Sequence, residues 1–446
     1  MVLVTIAIRN LVQAKRRTLL LSTAIGLVTA MLVLLLSISA GISDNLVRSA
    51  TTLSSGHVVV AGFYKPSATQ GAPLVTDAAK VRKIVEDSTP GLDRVIARGR
   101  GWGKIVGPGG SVQSSLSGVT LADEPDFAST LPLAPQSAYM EGGGDKVTGD
   151  ANRIGEPNSL VLFASHAKRL EVDVGDMVTI VTETQDGRTN TLDVTVVAIA
   201  KDMGMLSSWS ALVDEGSIRK LYTLKDDTTG ALWVYLDDIA TAKDTMTALR
   251  TTLAQNGYAL MDYQPVPFWM KFEVVGGEDW TGQKLDLTTW EDEVSFLTYT
   301  VAAFDTVTVF ISSILLIIIA IGISNTMFNT VRERTREIGT MRAIGLQKNA
   351  VLQLFMLEAT LLGLFATTSG ALFGGGLALA LDAAELPVPI EAMQAFLLSE
   401  TVNFSVRPGG LLGSVVFLTA CTALAALWPS LRAARLKPIV ALGYTA

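Results

Sequence analysis

The stretch Val331-Arg-Glu-Arg-Thr-Arg-Glu-Ile-Gly-Thr-Met-Arg-Ala-Ile-Gly345 lies between two long apolar segments. It is too polar to cross a bilayer and too short to form a domain. Wound as a helix, it puts Val331, Ile338, Met341 and Gly345 on one side and Arg332, Glu333, Arg336 and Glu337 on the other. Glu333 with Arg336, and Arg334 with Glu337, are opposite charges three residues apart, a spacing that supports a helix. Gly339 and Gly345 offer places to bend or stop it. Two readings follow: a basic loop that fixes topology, or a short helix that docks on a cytoplasmic partner and passes motion into the membrane.

Composition separates two kinds of segment. The chain has 446 residues, 17% of them charged, and a mean hydropathy of +0.40. Four windows are nearly free of charge over roughly 20 residues or more, enough for about 30 Å of hydrocarbon. A net charge of −7 gives no sign of a nucleic-acid partner. Cys421 is the one cysteine, so no disulfide forms within the chain, and neither His57 nor His166 sits in a metal-ligand spacing.

Outward from the central stretch, the expected organisation is as follows. Residues 1–17, with Arg9, Lys15, Arg16 and Arg17 among Ile6, Ile8, Leu11 and Val12, read as an amphipathic helix at the inner surface. Residues 18–42 form the first span; the run is too long for the apolar core of a signal peptide and lacks a clean small-x-small end. Residues 43–287 read as an extracytoplasmic α+β domain. Residues 288–328 form a stalk and second span, with Thr288 or Thr289 as helix cap. Residues 329–349 are the coupling segment, and 350–381 the third span, in which Gly370 and Gly374 allow close helix packing. An acidic outer loop (382–408) with Asp382, Glu385, Glu391 and Glu400, a fourth span (409–428) and a basic tail (429–446) complete the chain.

Within residues 43–287, His57–Phe63, Val95–Val106, Ala231–Leu236 and Tyr258–Tyr263 read as strands, and Asp77–Asp87 and Ala240–Gln255 as helices. Two β-α-β units thus flank an insert that carries a hairpin, Met177–Thr184 and Thr189–Val197, turned at Asp186-Gly187. Gly142–Lys146 lacks the Gly-x4-Gly-Lys-Ser/Thr pattern of a phosphate loop. Met203, Met205, Leu206 and Trp209 form an apolar patch, read as core or as a cargo contact. Glu358 and Asp305 are carboxylates in apolar runs. Glu358 is expected near the inner surface, paired with Arg342 or the basic N-terminal helix, and Asp305 at the outer interface. Basic clusters before span one, after span two and after span four place both termini and residues 329–349 in the cytoplasm.

Three motifs carry a family resemblance: Asn325-Thr-Met-Phe-Asn-Thr followed by the stretch to Gly345, Leu354-Phe-Met-Leu-Glu-Ala359, and Trp428-Pro-Ser-Leu-Arg-Ala-Ala-Arg-Leu-Lys-Pro438. They resemble the permease subunits of type VII ABC transporters, the group of LolC, LolE, MacB and FtsX. Ser55-Gly-His-Val-Val-Val60 and Val174-Gly-Asp176 resemble the outer domain of the lipoprotein-releasing permeases LolC and LolE. The resemblance implies an α-helical inner-membrane protein with four spans and a MacB-like periplasmic domain built of a porter-like and a second β-rich subdomain. It implies a non-catalytic permease working by mechanotransmission, paired with a second copy or a related permease. Two cytoplasmic ATPase subunits, holding ATP and Mg on a separate polypeptide, would bind at Arg332, Glu333, Arg334, Arg336, Glu337, Gly339 and Arg342. The cargo it implies is a lipoprotein or similar amphiphile, with a periplasmic carrier or adaptor as further partner. FtsX-like regulation of an extracytoplasmic enzyme, or MacB-like efflux of peptides or drugs, is the alternative. A non-ABC sensor or intramembrane enzyme is disfavoured, since the spans offer no catalytic Ser/His or metal pair.

Overall fold

A computed structural model describes residues 2–67, 70–184, 187–388 and 401–437. The chain divides into two compact units. The expectations for Asp186, Glu391, Glu400 and Pro438 lie outside the described residues.

The first unit holds the apolar helices. Among the described residues, an N-terminal helix, Val2–Gln13, precedes four helices that are each long and apolar enough to cross a membrane: Lys15–Ser49, Ser295–Glu333, Lys348–Ala383 and Pro408–Ala434. They share one packed seam in which Ile25, Ile323, Met327, Val351, Phe355, Ala366 and Ala426 are buried. Leu20, Phe310, Ile321, Phe365, Leu372, Leu424 and Trp428 point away from it and stay exposed. Large apolar side chains facing outward along helices of this length are what a lipid environment accommodates.

Two boundaries differ from the sequence expectation. The helix expected to run unbroken from Thr288 is two helices. Thr289 caps a single turn, Trp290–Glu293, in a reciprocal capping box with Asp292, and the long helix starts only at Ser295. The turn is tied down because Glu293 accepts from Thr288 Oγ1 at 2.6 Å and Asp292 accepts from Thr289 N at 2.8 Å. Between the two helices, Val294 leaves helical geometry (φ −113°, ψ 20°).

The second difference is at Pro429, expected to begin the basic tail, which sits inside the fourth helix. Proline has no N–H for the carbonyl four residues back. Here that carbonyl, on Ala425, accepts from Ser324 Oγ at 2.9 Å, so the second span supplies the missing donor.

In the second unit one continuous sheet threads two subdomains. In the first half Gly282–Thr289, Val58–Ser67, Ala231–Leu236 and the start of Leu92–Gly107 lie side by side, all antiparallel. The helices Ala78–Ser88 and Ala242–Gln255 cover one face, burying Val81, Val85, Leu249 and Leu253 against Val58, Val60, Val234 and Leu287.

The strand expected at Tyr258–Tyr263 is a single bridge, Leu260 with Leu285. The prolines that follow, Pro265 and Pro267, cannot donate to a ladder. Gly282–Thr289 fills the edge instead. Its alternating Leu285 and Leu287 are short and border the apolar run, so they escaped the sequence reading.

The second half continues through Gly110–Val119, Ser210–Asp214, Ser159–Phe163, Thr189–Ala200 and Met177–Glu183. Met177–Glu183 then pairs back onto Lys104–Val106, which closes the half into a barrel and leaves no open edge among these strands. The hairpin expected at Met177–Val197 is present in register, with Gly187 at φ +71° where its turn needs the left-handed region.

Candidate functional site

The stretch from Val331 to Gly345 folds as the end of the second long helix, a break at Arg334, and a short helix, Thr335–Ala343. Gly345, at φ +103°, ends it. One face is anchored: Val331, Thr335, Ile338 and Gly339 are buried, and Val331 and Ile338 join the apolar seam of the spans. The opposite face presents Arg332, Glu333, Arg336 and Glu337 as exposed charges. The seven residues grouped by sequence therefore do not form one surface. Four point outward, Gly339 lies in the anchored face, and Arg334 and Arg342 turn inward.

The inward arginines are the joints. Arg334 Nη1 donates to both oxygens of Glu358, at 2.9 and 3.2 Å, while its Nε pairs with the exposed Glu337 at 2.9 Å. The Glu358 side chain is 5% exposed and that of Arg334 17%. Asn10 Nδ2, from the N-terminal helix, also donates to Glu358. A single carboxylate in the third span thus ties together the short helix and the N-terminal helix. The sequence expectation of Arg342 as its partner is corrected: Arg342 Nη1 instead donates to the Ala434 carbonyl at 2.9 Å, at the end of the fourth helix. The N-terminal helix contributes an amide and not one of its basic groups. A carboxylate two turns into an apolar helix, with arginines nearby in sequence, signalled an ion pair but not which arginine forms it.

Gly370 and Gly374 lie against the first span. A Cβ on Gly370 would run into the Gly26 carbonyl, and one on Gly374 would come within 2.7 Å of Ala30 Cα. These obstacles are backbone, so they cannot swing aside. Asp305 accepts from Ser39 Oγ at 2.6 Å, a polar link between the first and second spans. In the outer unit, Met203 and Leu206 are core residues while Trp209 is 48% exposed, so the apolar patch divides into two roles. Among the described residues no cluster of His, Cys, Asp and Glu is arranged to hold a metal.

This arrangement can be compared with known proteins. Residues 18–252, more than half of the chain, match the family model described as the MacB-like periplasmic core domain, and residues 309–438 match that of the FtsX-like permease C-terminal region. The chain belongs to the MacB/FtsX-like family of ABC permeases. It is 41% identical over 134 residues to a "Macrolide export ATP-binding/permease protein MacB" of Nitrobacter winogradskyi, a match covering 30% of this chain and 18% of that protein. It is 34% identical over 134 residues to the "Uncharacterized ABC transporter permease YvrN" of Bacillus subtilis, covering 30% and 29%. The chain therefore matches less than a third of the length of either relative. Among solved structures, the periplasmic region of MacB from Actinobacillus actinomycetemcomitans matches with a TM-score of 0.28 and 12% identity, covering 55% of this chain and 94% of that one.

Proposed function

We propose that this permease is the membrane subunit of a mechanotransmitting ABC transporter that extracts lipoproteins or similar amphiphiles from the outer leaflet of the inner membrane. Cytoplasmic ATPase subunits hydrolyse ATP on its inner side, and a second permease copy or a related chain completes the complex. The observation that carries the reading is the two-faced short helix. Arg332, Glu333, Arg336 and Glu337 are offered to a partner, while Val331, Ile338 and the Arg334–Glu358 pair bind the other face to the spans. A partner that moves the exposed face must move the second and third spans with it, because breaking a buried ion pair costs about 3–5 kcal/mol. Handing an acyl-anchored cargo to an aqueous carrier requires work, since each buried methylene contributes about 0.8 kcal/mol.

The test is reconstitution with the ATPase in liposomes carrying a labelled lipoprotein. ATP-dependent release into solution is expected. The double variant Arg336→Ala/Glu337→Ala should insert normally, yet lose both release and co-purification of the ATPase. Unchanged release and unchanged co-purification would overturn the docking assignment. The relative named for macrolide export supports a second reading, efflux of small molecules from the periplasm. ATP-dependent movement of a macrolide, with no release of any lipoprotein, would decide for it.

A further inference from the structure

The second and fourth spans lie side by side and run in the same direction. Ser324 Oγ donates to the Ala425 carbonyl at 2.9 Å, and one turn on, the Phe328 and Trp428 rings meet edge to face at 5.2 Å between centroids. One turn beyond Trp428, the Arg432 guanidinium lies over the Phe328 ring at 5.8 Å. Leu424 precedes Trp428 by one turn and Ile321 precedes Phe328 by about two, so each shares the face of its aromatic residue. Ile321, Leu424 and Trp428 are 65%, 68% and 67% exposed. The crevice between the two helices is therefore graded: aliphatic, then aromatic, then cationic.

The positive charge at the end of this crevice is unmet. Arg432 and Arg435 stand three apart on the helix and are exposed, and neither side chain forms a hydrogen bond or ion pair among the described residues. The carboxylates at this end of the spans are committed elsewhere. Glu337 pairs with Arg334, Glu358 accepts from Arg334 and Asn10, and Glu333 is engaged as well. Phe328 holds one face of the Arg432 guanidinium and leaves its N–H edge open. The Trp428 indole N–H likewise has no acceptor among the described residues. Free cationic donors beside an interfacial tryptophan, above exposed aliphatic side chains, are complementary to an anionic amphiphile.

We propose that this crevice holds one anionic phospholipid, with its phosphate on Arg432 and Arg435, its ester region against Trp428 and an acyl chain along Leu424 and Ile321. Guanidinium edges fit phosphate oxygens bidentately. The depths agree: Leu424 and Arg432 stand about 12 Å apart along the helix axis, more than the headgroup layer of about 5–8 Å. With Arg432 at the phosphate, Leu424 is thus inside the hydrocarbon. A zwitterionic head is disfavoured, because it would bring its own ammonium against two arginines with no carboxylate to receive it. An acidic soluble protein would meet the arginines but leave Leu424 and Ile321 uncovered. The site rests on the membrane placement of the spans and not on the transport reading, and its test uses neither the ATPase nor nucleotide.

The full chain in uncharged detergent micelles is mixed with equal amounts of phosphatidylglycerol and phosphatidylcholine bearing the same acyl chains, and retained lipid is read by native mass spectrometry. Phosphatidylglycerol should be retained at least tenfold over phosphatidylcholine. A basic group beside an anionic lipid is worth roughly fivefold, so Arg432→Gln should lower that retention about fivefold. Lys348→Gln, which removes an exposed charge at the same end of the spans but outside the crevice, should leave it unchanged. Inorganic phosphate should not displace the lipid. Phosphatidylglycerol with a diazirine in its acyl chain should label the peptides holding Ile321 or Leu424, an arm that needs no variant and so decides the matter even if Arg432→Gln unfolds the protein. Equal retention of the two lipids, equal losses in the two variants, displacement by phosphate, or labelling confined to other helices would each overturn the assignment.

Discussion

Replacing Glu358 by leucine isolates the joint between the short helix Thr335–Ala343 and the spans. In the native protein this carboxylate takes two hydrogen bonds from Arg334 and one from Asn10, with 5% of its side chain exposed. The substitution strands Arg334, leaving it only Glu337, whose side chain is 63% exposed and whose pairing is worth about 0.5 kcal/mol. Breaking a buried pair from one side costs about 3–5 kcal/mol, and the 17% exposure of Arg334 places this case near the lower end, at about 3 kcal/mol. The unmet Asn10 amide adds about 1 kcal/mol.

The double variant Arg334→Met/Glu358→Leu removes the stranded charge and should recover about 2 kcal/mol, roughly thirtyfold in the folded-to-unfolded ratio. Unfolding by SDS titration in mixed micelles, followed by far-ultraviolet circular dichroism, reads these differences directly. The order expected is wild type, then the double variant, then Glu358→Leu. If the double variant and Glu358→Leu unfold at the same SDS mole fraction, the pair does not join these elements as described.

Two further predictions use the same assay. Gly374→Ala should destabilise by about 1–3 kcal/mol, because its Cβ meets backbone of the first span and forces the helices apart. Gly376→Ala, where nothing lies within 4 Å, should change stability by no more than about 0.5 kcal/mol, and equal losses for the two would refute the packing assignment. Ser324→Ala should cost about 1 kcal/mol in the native chain, by leaving the Ala425 carbonyl without a donor. In a Pro429→Ala background the restored N–H takes that carbonyl, so the same serine change should cost close to nothing. An equal cost in both backgrounds would show that the proline and the serine are not linked.

The apolar windows, the strand pair around Gly187 and the two-sided pattern of Val331–Gly345 could be read from the sequence. Each is decided within one segment, by its own hydrophobic period or by a turn that only certain residues accept. The motif Gly370-x3-Gly374 announced a close helix contact, but not that Gly26 and Ala30 would be the neighbours. Pairings between segments stayed hidden for one physical reason: a side chain's partner is whichever group the packed chain brings near, and spacing along the sequence does not encode that. Glu358 took Arg334 and Asn10 and not Arg342, Ser324 took the carbonyl that Pro429 freed, and the strand Leu92–Gly107 closed a barrel with Met177–Glu183. Arg100 is the clearest case. Its place in a strand gives no sign of this, and only the folding of distant segments around it buries its guanidinium over the Phe268 ring with no hydrogen bond to Nη1 or Nη2.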